Sequence, residues 1–261
     1  MISILVCGAG GKMGQEVMRT VLQDPELKLV GAVDISLSGK RISSVVEGNC
    51  DLIIQDNLED AITKYRPDVV VDFTTPKAVY SNACTILKSG TFAVIGTTGL
   101  TADERKKLDV LARQHDVAIL VAPNFSLGAV LMMQAAENIA RYLPEAEIIE
   151  LHHNHKYDAP SGTAKLTAEK ICQARNETPE ADRTKESIVG ARGANWHDVH
   201  IHSVRLPGYV AHQEVLFGGN GEVLTIRHDS LSRTSFMPGV LLACKNIQSK
   251  SGLVYGLEHF L

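Results

Sequence analysis

Along the first half of the chain, short runs of almost unbroken apolar residues alternate with stretches whose apolar positions recur every three or four residues. The runs are Ile2–Val6, Leu27–Val33, Val69–Val71, Phe92–Ile95 and Val117–Val121. Short β-branched runs of this kind, bounded by turn residues, read as strands buried on both faces. Between them, Gly14–Leu22, Leu58–Tyr65, Lys77–Ser89 and Thr101–His115 carry the helical spacing. The last of these opens on Thr101 with Glu104 placed to complete a capping box. Strand and helix in regular alternation predict a doubly wound parallel sheet.

Beyond Asn124 the pattern changes. Leu127–Tyr142 is a long, mostly apolar helical stretch that stops before Pro144, Glu147–His152 reads as a strand, and Ser161–Ala174 as another helix. From Ile188 to His228, strand-like pieces are separated by Gly193, Gly208, Gly218-Gly219 and Gly221, which predicts antiparallel pairing. Met237–Ile247 is helical again and is expected to return to the first sheet. The expected fold class is therefore α/β. A Rossmann-like doubly wound domain (residues 1–126 and 234–261) accompanies a smaller α+β domain (residues 127–233).

Composition narrows the function. Lys plus Arg is 26 against 30 Asp plus Glu, a net charge of −4, and no basic stripe is present. A nucleic-acid partner is thereby not expected. The five cysteines, Cys7, Cys50, Cys84, Cys172 and Cys244, are scattered and form no C-x-x-C pair. That spacing gives neither a disulfide framework nor a zinc site. No apolar run approaches the roughly 20 residues needed to span a bilayer. The chain opens directly on an apolar strand-like run with no leader pattern, so a cytoplasmic location and no membrane partner are expected.

The first strand runs into Gly8-Ala9-Gly10-Gly11-Lys12-Met13-Gly14, and the first helix follows. Glycines at such a turn let the backbone approach a pyrophosphate, which the helix N-terminus then binds. Asp34 ends the second strand, where an acid accepts from ribose hydroxyls. The third glycine stands one residue later than in G-x-G-x-x-G. Strand, loop, helix, strand and terminal acid together indicate a nicotinamide dinucleotide site. Asp34 favours NADH and Ile35 offers no cation, whereas Lys12 could meet a 2′-phosphate; the expected cofactor is NADH by preference, or both NADH and NADPH.

Seven of the ten histidines lie between His152 and His212. The densest stretch runs Glu150-Leu151-His152-His153-Asn154-His155-Lys156-Tyr157-Asp158-Ala159-Pro160-Ser161-Gly162-Thr163-Ala164, from a strand end through a polar loop to a helix start. Ser161, Gly162 and Thr163 can present N–H groups and hydroxyls to a carboxylate. His153 and Lys156 add hydrogen-bonding or positive character beside it. This combination suits a small dicarboxylate and a proton transfer. His153/His155 and His200/His202 have spacings that place pairs on one strand face, but no ligand set completes them, and no metal is expected. The residues alone leave open a non-catalytic dinucleotide sensor, or another two-domain nicotinamide enzyme such as an aspartate dehydrogenase or a homoserine-dehydrogenase-like reductase.

Glu150–Ala164, the glycine loop Gly8–Gly14, Gly96-Thr97-Thr98-Gly99 and Ala122-Pro123-Asn124-Phe125-Ser126 together resemble the 4-hydroxy-tetrahydrodipicolinate reductase family, of the diaminopimelate route to lysine. The likeness extends over nearly the whole chain, through His202–Val210 and Ser232–Gly239. It implies an NAD(P)H-dependent reduction with loss of water and a homotetramer. It implies His152 as proton donor, Lys156 as a second donor, His153 on the substrate, and Gly162 and Thr163 on a substrate carboxylate. Cofactor contacts carry over to Gly8 through Met13, Asp34, Gly96, Thr97, Thr98, Ala122, Pro123, Asn124 and Phe125. Many members have arginine just after the acid, where this chain has Ile35.

Overall fold

The computed structural model describes residues 1–48 and 50–261. The chain divides into two compact units, Met1–Phe125 with Phe236–Leu261, and Ser126–Ser235.

The first unit is built on strands β1 (Ile2–Cys7), β2 (Leu27–Val33), β3 (Val69–Asp72), β4 (Phe92–Ile95) and β5 (Ala118–Val121). A C-terminal strand, which is β11 in chain order (Gly252–Tyr255), completes the sheet. All pairs are parallel, in the order β11-β5-β4-β3-β1-β2. β3 and β5 are buried at every position, because helices cover both faces of the sheet. Those helices are α1 (Lys12–Gln23), α2 (Leu58–Tyr65), α3 (Val79–Lys88) and α4 (Ala102–Gln114), with α7 (Met237–Asn246) returning near the end of the chain. On α1, Gly14, Val17, Met18 and Val21 are buried, an apolar stripe at helical spacing. The capping box forms on α4, with Thr101 and Glu104 each bonding the other's backbone. α3 starts at Val79 and not at Lys77, because Thr75–Ala78 is taken up by a hydrogen-bonded turn.

The strand order reverses beside β1, whose neighbours are β2 on one side and β3 on the other. In open parallel sheets, ligands bind outside the carboxyl ends of strands at such a reversal.

The second unit contains α5 (Leu127–Ile139), β6 (Glu145–His152), α6 (Gly162–Ala174), β7 (Ala194–Trp196), β8 (Val199–Arg205), β9 (Ala211–Gly219) and β10 (Glu222–Ser230). Its sheet runs β10-β9-β6-β8-β7. Pairing is antiparallel except between β6 and β8, which are parallel. Within Ile188–His228 the pairs β7–β8 and β9–β10 are antiparallel as expected, and the parallel pair joins β8 to β6, outside that stretch. α6 leads the chain out of β6 and back toward β8, and a crossover of that kind delivers a parallel strand. Ile188–Gly193 also differs from expectation: it closes hydrogen-bonded turns, and regular strand begins only at Ala194. Met132, Ala136, Ile148, Ala164, Ala168, Ile171, Val215 and Phe217 form the core between the helices and one sheet face.

Candidate active site

In the first unit, the residues expected to hold a dinucleotide gather at the carboxyl ends of β1, β2, β4 and β5. Gly8 has φ +84°, and a Cβ there would lie 2.3 Å from the Phe73 carbonyl oxygen. A Cβ on Gly10 would meet the Asp34 carboxylate at 2.8 Å, and one on Gly14 would lie 2.1 Å from the Gly8 oxygen. The late third glycine is thus the one that lets α1 start hard against the loop. Gly11 caps α1 without a side-chain bond, and no acidic residue stands in the first turn. Lys12 begins the helix exposed, and Met13 is half-buried behind it.

Asp34 accepts the Gly10 N–H through Oδ2 at 2.7 Å, and the Ser36 N–H and hydroxyl through Oδ1 at 2.9 and 2.5 Å. Burial opposes its charge, but the Ser36 hydroxyl and the backbone N–H groups of Gly10, Ser36 and Leu37 outweigh burial and hold the carboxyl below its ordinary value. Ile35 beside it is 85% exposed.

Beyond β4, Gly96 admits the Phe73 ring, which a Cβ would meet at 2.0 Å. Thr97 is buried and Thr98 exposed. After β5, Ala122 and Phe125 are buried and Pro123 is exposed. Sequence reasoning passed over Asp72 and Phe73, which close β3 at the same end. Asp72 is wholly buried and accepts from the Thr74 N–H, the Thr74 and Thr97 hydroxyls and the Asn82 amide. Phe73 stacks at a tilt on Phe125, with ring centres 5.7 Å apart. An acid ending an unbroken valine run was the available signal. The donor set fits a dinucleotide: α1 opens without a side-chain cap or an acid in its first turn, as a pyrophosphate requires, and the Asp34 carboxylate stands at the end of β2 where a ribose would be met.

In the second unit, strand alternation puts Glu150 and His152 on one face of β6. Glu150 is fully buried. Its Oε2 meets His152 Nδ1 at 2.5 Å, and Arg205 reaches both of its oxygens, at 2.8 and 2.7 Å. The Ser161 N–H donates to Oε1 at 3.2 Å. Burial pushes the Glu150 carboxyl up, but the bonds from His152, Arg205 and Ser203 prevail and hold it at about 2. Arg205 pairs in register with His152 across the parallel β6–β8 ladder and also donates to the Asp158 carbonyl oxygen at 2.8 Å. Neither Glu150 nor Arg205 was singled out from sequence; Glu150 lay in plain view two residues before His152, whereas Arg205 is brought in by the ladder.

Ser161 caps α6, its hydroxyl accepting the Ala164 N–H at 3.1 Å, and it is buried. Gly162 follows exposed, with open space where a Cβ would sit, and Thr163 completes the turn. His153 is half-buried, and its Nδ1 has no hydrogen-bond partner among the described residues. Burial, then the charges of His152, His155, Arg233 and Lys156, lower its pKa, so at neutral pH it is an uncharged hydrogen-bonding group. Lys156 pairs with Asp158 at 2.6 Å.

His200 and His202 lie in register with Glu147 and Ile149, on the sheet face opposite Glu150 and His152. There His202 meets Glu147 at 2.8 Å, and His200 meets the Arg192 carbonyl at 2.7 Å. A cleft of about 780 Å³ on that face includes all four of these residues in its lining, but it holds none of the proton-donor or carboxylate-binding candidates. Among the described residues, no group of three or more His, Cys, Asp or Glu side chains is placed to hold a metal.

Comparison with known proteins identifies the family. The dihydrodipicolinate reductase N-terminal family matches residues 2–125, and the dihydrodipicolinate reductase C-terminal family matches residues 128–261. The 4-hydroxy-tetrahydrodipicolinate reductase of Syntrophomonas wolfei subsp. wolfei is 49% identical over 260 residues, covering 99% of this chain and 98% of its own. That of Listeria monocytogenes is 49% identical over 261 residues, covering 99% of each. The structure of a dipicolinate-bound dihydrodipicolinate reductase from Paenisporosarcina sp. TG-14 superposes with TM-score 0.88 at 42% identity over the whole of both chains. With both halves matched and the likeness unbroken from end to end, this chain belongs to the dihydrodipicolinate reductase family.

Proposed function

We propose that this protein catalyses the nicotinamide-dependent reduction of 4-hydroxy-tetrahydrodipicolinate to tetrahydrodipicolinate, with loss of water, in diaminopimelate and lysine biosynthesis. Family membership over the whole chain supports the reaction class. The structural observation that carries the residue assignment is a single buried carboxylate. Glu150 bonds both His152 and the N–H of Ser161, and so joins a proton donor to the helix end that can hold a substrate carboxylate.

Reduced nicotinamide supplies the hydride when bound. The backbone of Gly8, Ala9, Gly10, Gly11, Lys12 and Met13 takes the pyrophosphate, Asp34 the adenosine ribose, and the turns at Gly96–Thr98 and Ala122–Phe125 the nicotinamide half. Asp34 is ionised and followed by an uncharged Ile35, so a 2′-phosphate meets a negative charge with only Lys12 of the glycine loop as a counter-cation; NADH is preferred, or both cofactors are used. Gly162 and Thr163 bind one carboxylate of the substrate through the first turn of α6. Neutral His153 hydrogen-bonds the substrate without adding charge. His152 gives its proton to the ring carbon beside the reduced centre, and Lys156, released from Asp158, assists as a second donor.

No helix among the described residues is long and apolar enough to cross a membrane, and the five cysteines are unpaired. We read the protein as a cytoplasmic enzyme, assembled as a homotetramer of 28.3 kDa chains as the family resemblance implies. Light scattering on the eluted protein tests the assembly.

The deciding experiment is a coupled assay. Pyruvate and aspartate semialdehyde are condensed by a separate synthase, and oxidation of NADH or NADPH is followed with and without this protein. Rapid oxidation that needs both precursors is expected, faster with NADH. Tight dinucleotide binding without oxidation would instead leave a non-catalytic sensor.

A further inference from the structure

We infer that Glu150 is the positioning residue that sets the ring tautomer of His152, and that Arg205 keeps the Glu150 carboxylate purely an acceptor, so that the proton delivered to substrate leaves from Nε2. This deepens the assignment of His152 as donor and rests on it.

The argument is one of donor and acceptor inventory. The Arg205 guanidinium and the Ser161 N–H can only donate, and between them they engage both oxygens of Glu150. A carboxylate so held has no proton of its own, so its 2.5 Å contact with His152 Nδ1 has the proton on nitrogen. Nδ1 therefore carries hydrogen whether the ring is charged or neutral, and Nε2 alone changes state. In the transfer, the Nε2–H bond breaks as the new C–H bond forms on substrate. The imidazolium becomes the neutral Nδ1–H imidazole, Glu150 is unchanged, and solvent restores the proton to Nε2.

The ladder makes this arrangement rigid. Glu150 stands opposite Ser203 and His152 opposite Arg205 on β8, so the guanidinium comes from the strand beside the histidine and reaches back along it. On β9, Gln213 lies opposite Glu150 and gives its amide to the Thr167 hydroxyl at 2.8 Å.

Replacing Glu150 by glutamine inverts the arrangement in a predictable way. At the Oε1 position the amide oxygen keeps two donors, Arg205 Nη2 and the Ser161 N–H, which leaves the NH2 group, turned against Arg205 Nη1, at the Oε2 position facing His152. It then donates to Nδ1 and moves the ring proton to Nε2, making a neutral ring that is a poor acid.

The test uses the full-length protein with 15N-labelled histidine and long-range 1H–15N correlation at a pH where the ring is neutral, His152 being assigned by the signal lost in His152→Gln. The expected wild-type spectrum shows a protonated Nδ1 and a bare Nε2. In Glu150→Gln the two exchange, kcat falls by about 10²-fold, and the substrate KM stays within about threefold. A wild-type ring protonated at Nε2, or a folded Glu150→Gln enzyme with kcat within about threefold of wild type, overturns the inference. The wild-type spectrum decides the tautomer even if the variant does not fold. Full turnover by His152→Gln would instead sink the donor assignment, a failure that the turnover assay separates from the tautomer readout.

Discussion

Thr97 donates its hydroxyl to the buried carboxylate of Asp72 at 2.6 Å and, through the same oxygen, accepts the Thr74 N–H at 2.7 Å. One hydroxyl thus ties the turn after β4 to the turn after β3, at the strand ends where the dinucleotide is proposed to bind. Thr97→Val keeps the shape and removes both bonds. It is expected to cost about 1–3 kcal/mol of stability and to weaken NADH binding several-fold. Chemical denaturation and a fluorescence titration with NADH measure the two effects, and an unchanged affinity would show that the turn is held by other means.

Cofactor choice turns on Asp34 and its neighbour. Replacing Ile35 by arginine puts a cation beside an exposed position, and Asp34→Ser takes away the negative charge. The pair of changes should move the ratio of kcat/KM values toward NADPH by about 1–3 kcal/mol, or roughly tenfold to a hundredfold. The wild-type ratio is expected to favour NADH, and a strong NADPH preference in the unaltered enzyme would refute the reading of Asp34.

His152→Ala and Lys156→Ala should each lower kcat by roughly 10²–10⁴-fold. His153→Ala should act mainly on KM, because an uncharged hydrogen-bonding group contributes to binding of substrate and transition state alike. Steady-state kinetics with circular dichroism on each variant separates these outcomes from misfolding. A folded His152→Ala enzyme with normal turnover would remove His152 from the chemistry.

The fully buried Glu150 also gives the protein an acid sensitivity. Its carboxyl is held at about 2 in the folded state against an ordinary value of 4.5. A depressed folded pKa contributes stability that is complete above the unfolded value and is lost as pH falls through the folded one. The window is therefore from about pH 4.5 down to about pH 2, and the contribution is on the order of 3 kcal/mol. Urea melts across that range should show a steeper loss for the wild type than for Glu150→Gln, and parallel curves would contradict the assignment.

How much of this was legible in sequence depends on the reach of each interaction. The glycine loop and Asp34 could be read directly, because turn, helix start and strand end are local features with local residue requirements. Even the late third glycine has a local reason, its contact with the Gly8 oxygen at the start of α1. The two units, the parallel sheet of the first and the cap on α4 followed from hydrophobic period and end signals. The parallel β6–β8 pair was missed, although β6, α6 and β8 form a crossover. Glycine turns downstream suggested hairpins, and turn chemistry says nothing of which strands end up adjacent.

Histidine content alone does not sort the stretch from His152 to His212. The register sets His152 on one sheet face and His200 and His202 on the opposite one, where Glu147 and Arg192 occupy them.

By itself, then, the sequence carried most of what depends on neighbours a few residues apart: the principal strands and helices, the turn of the glycine loop after β1, and the segment that holds His152, Lys156 and the helix start at Ser161. Only the tertiary structure decided that Arg205 on β8 reaches the Glu150 carboxylate, and that Asp72 holds Thr97. Those partners are joined through the ladders and loops of a folded sheet. The energy of a buried carboxylate depends on which donors the fold delivers to it, and not on its place along the chain.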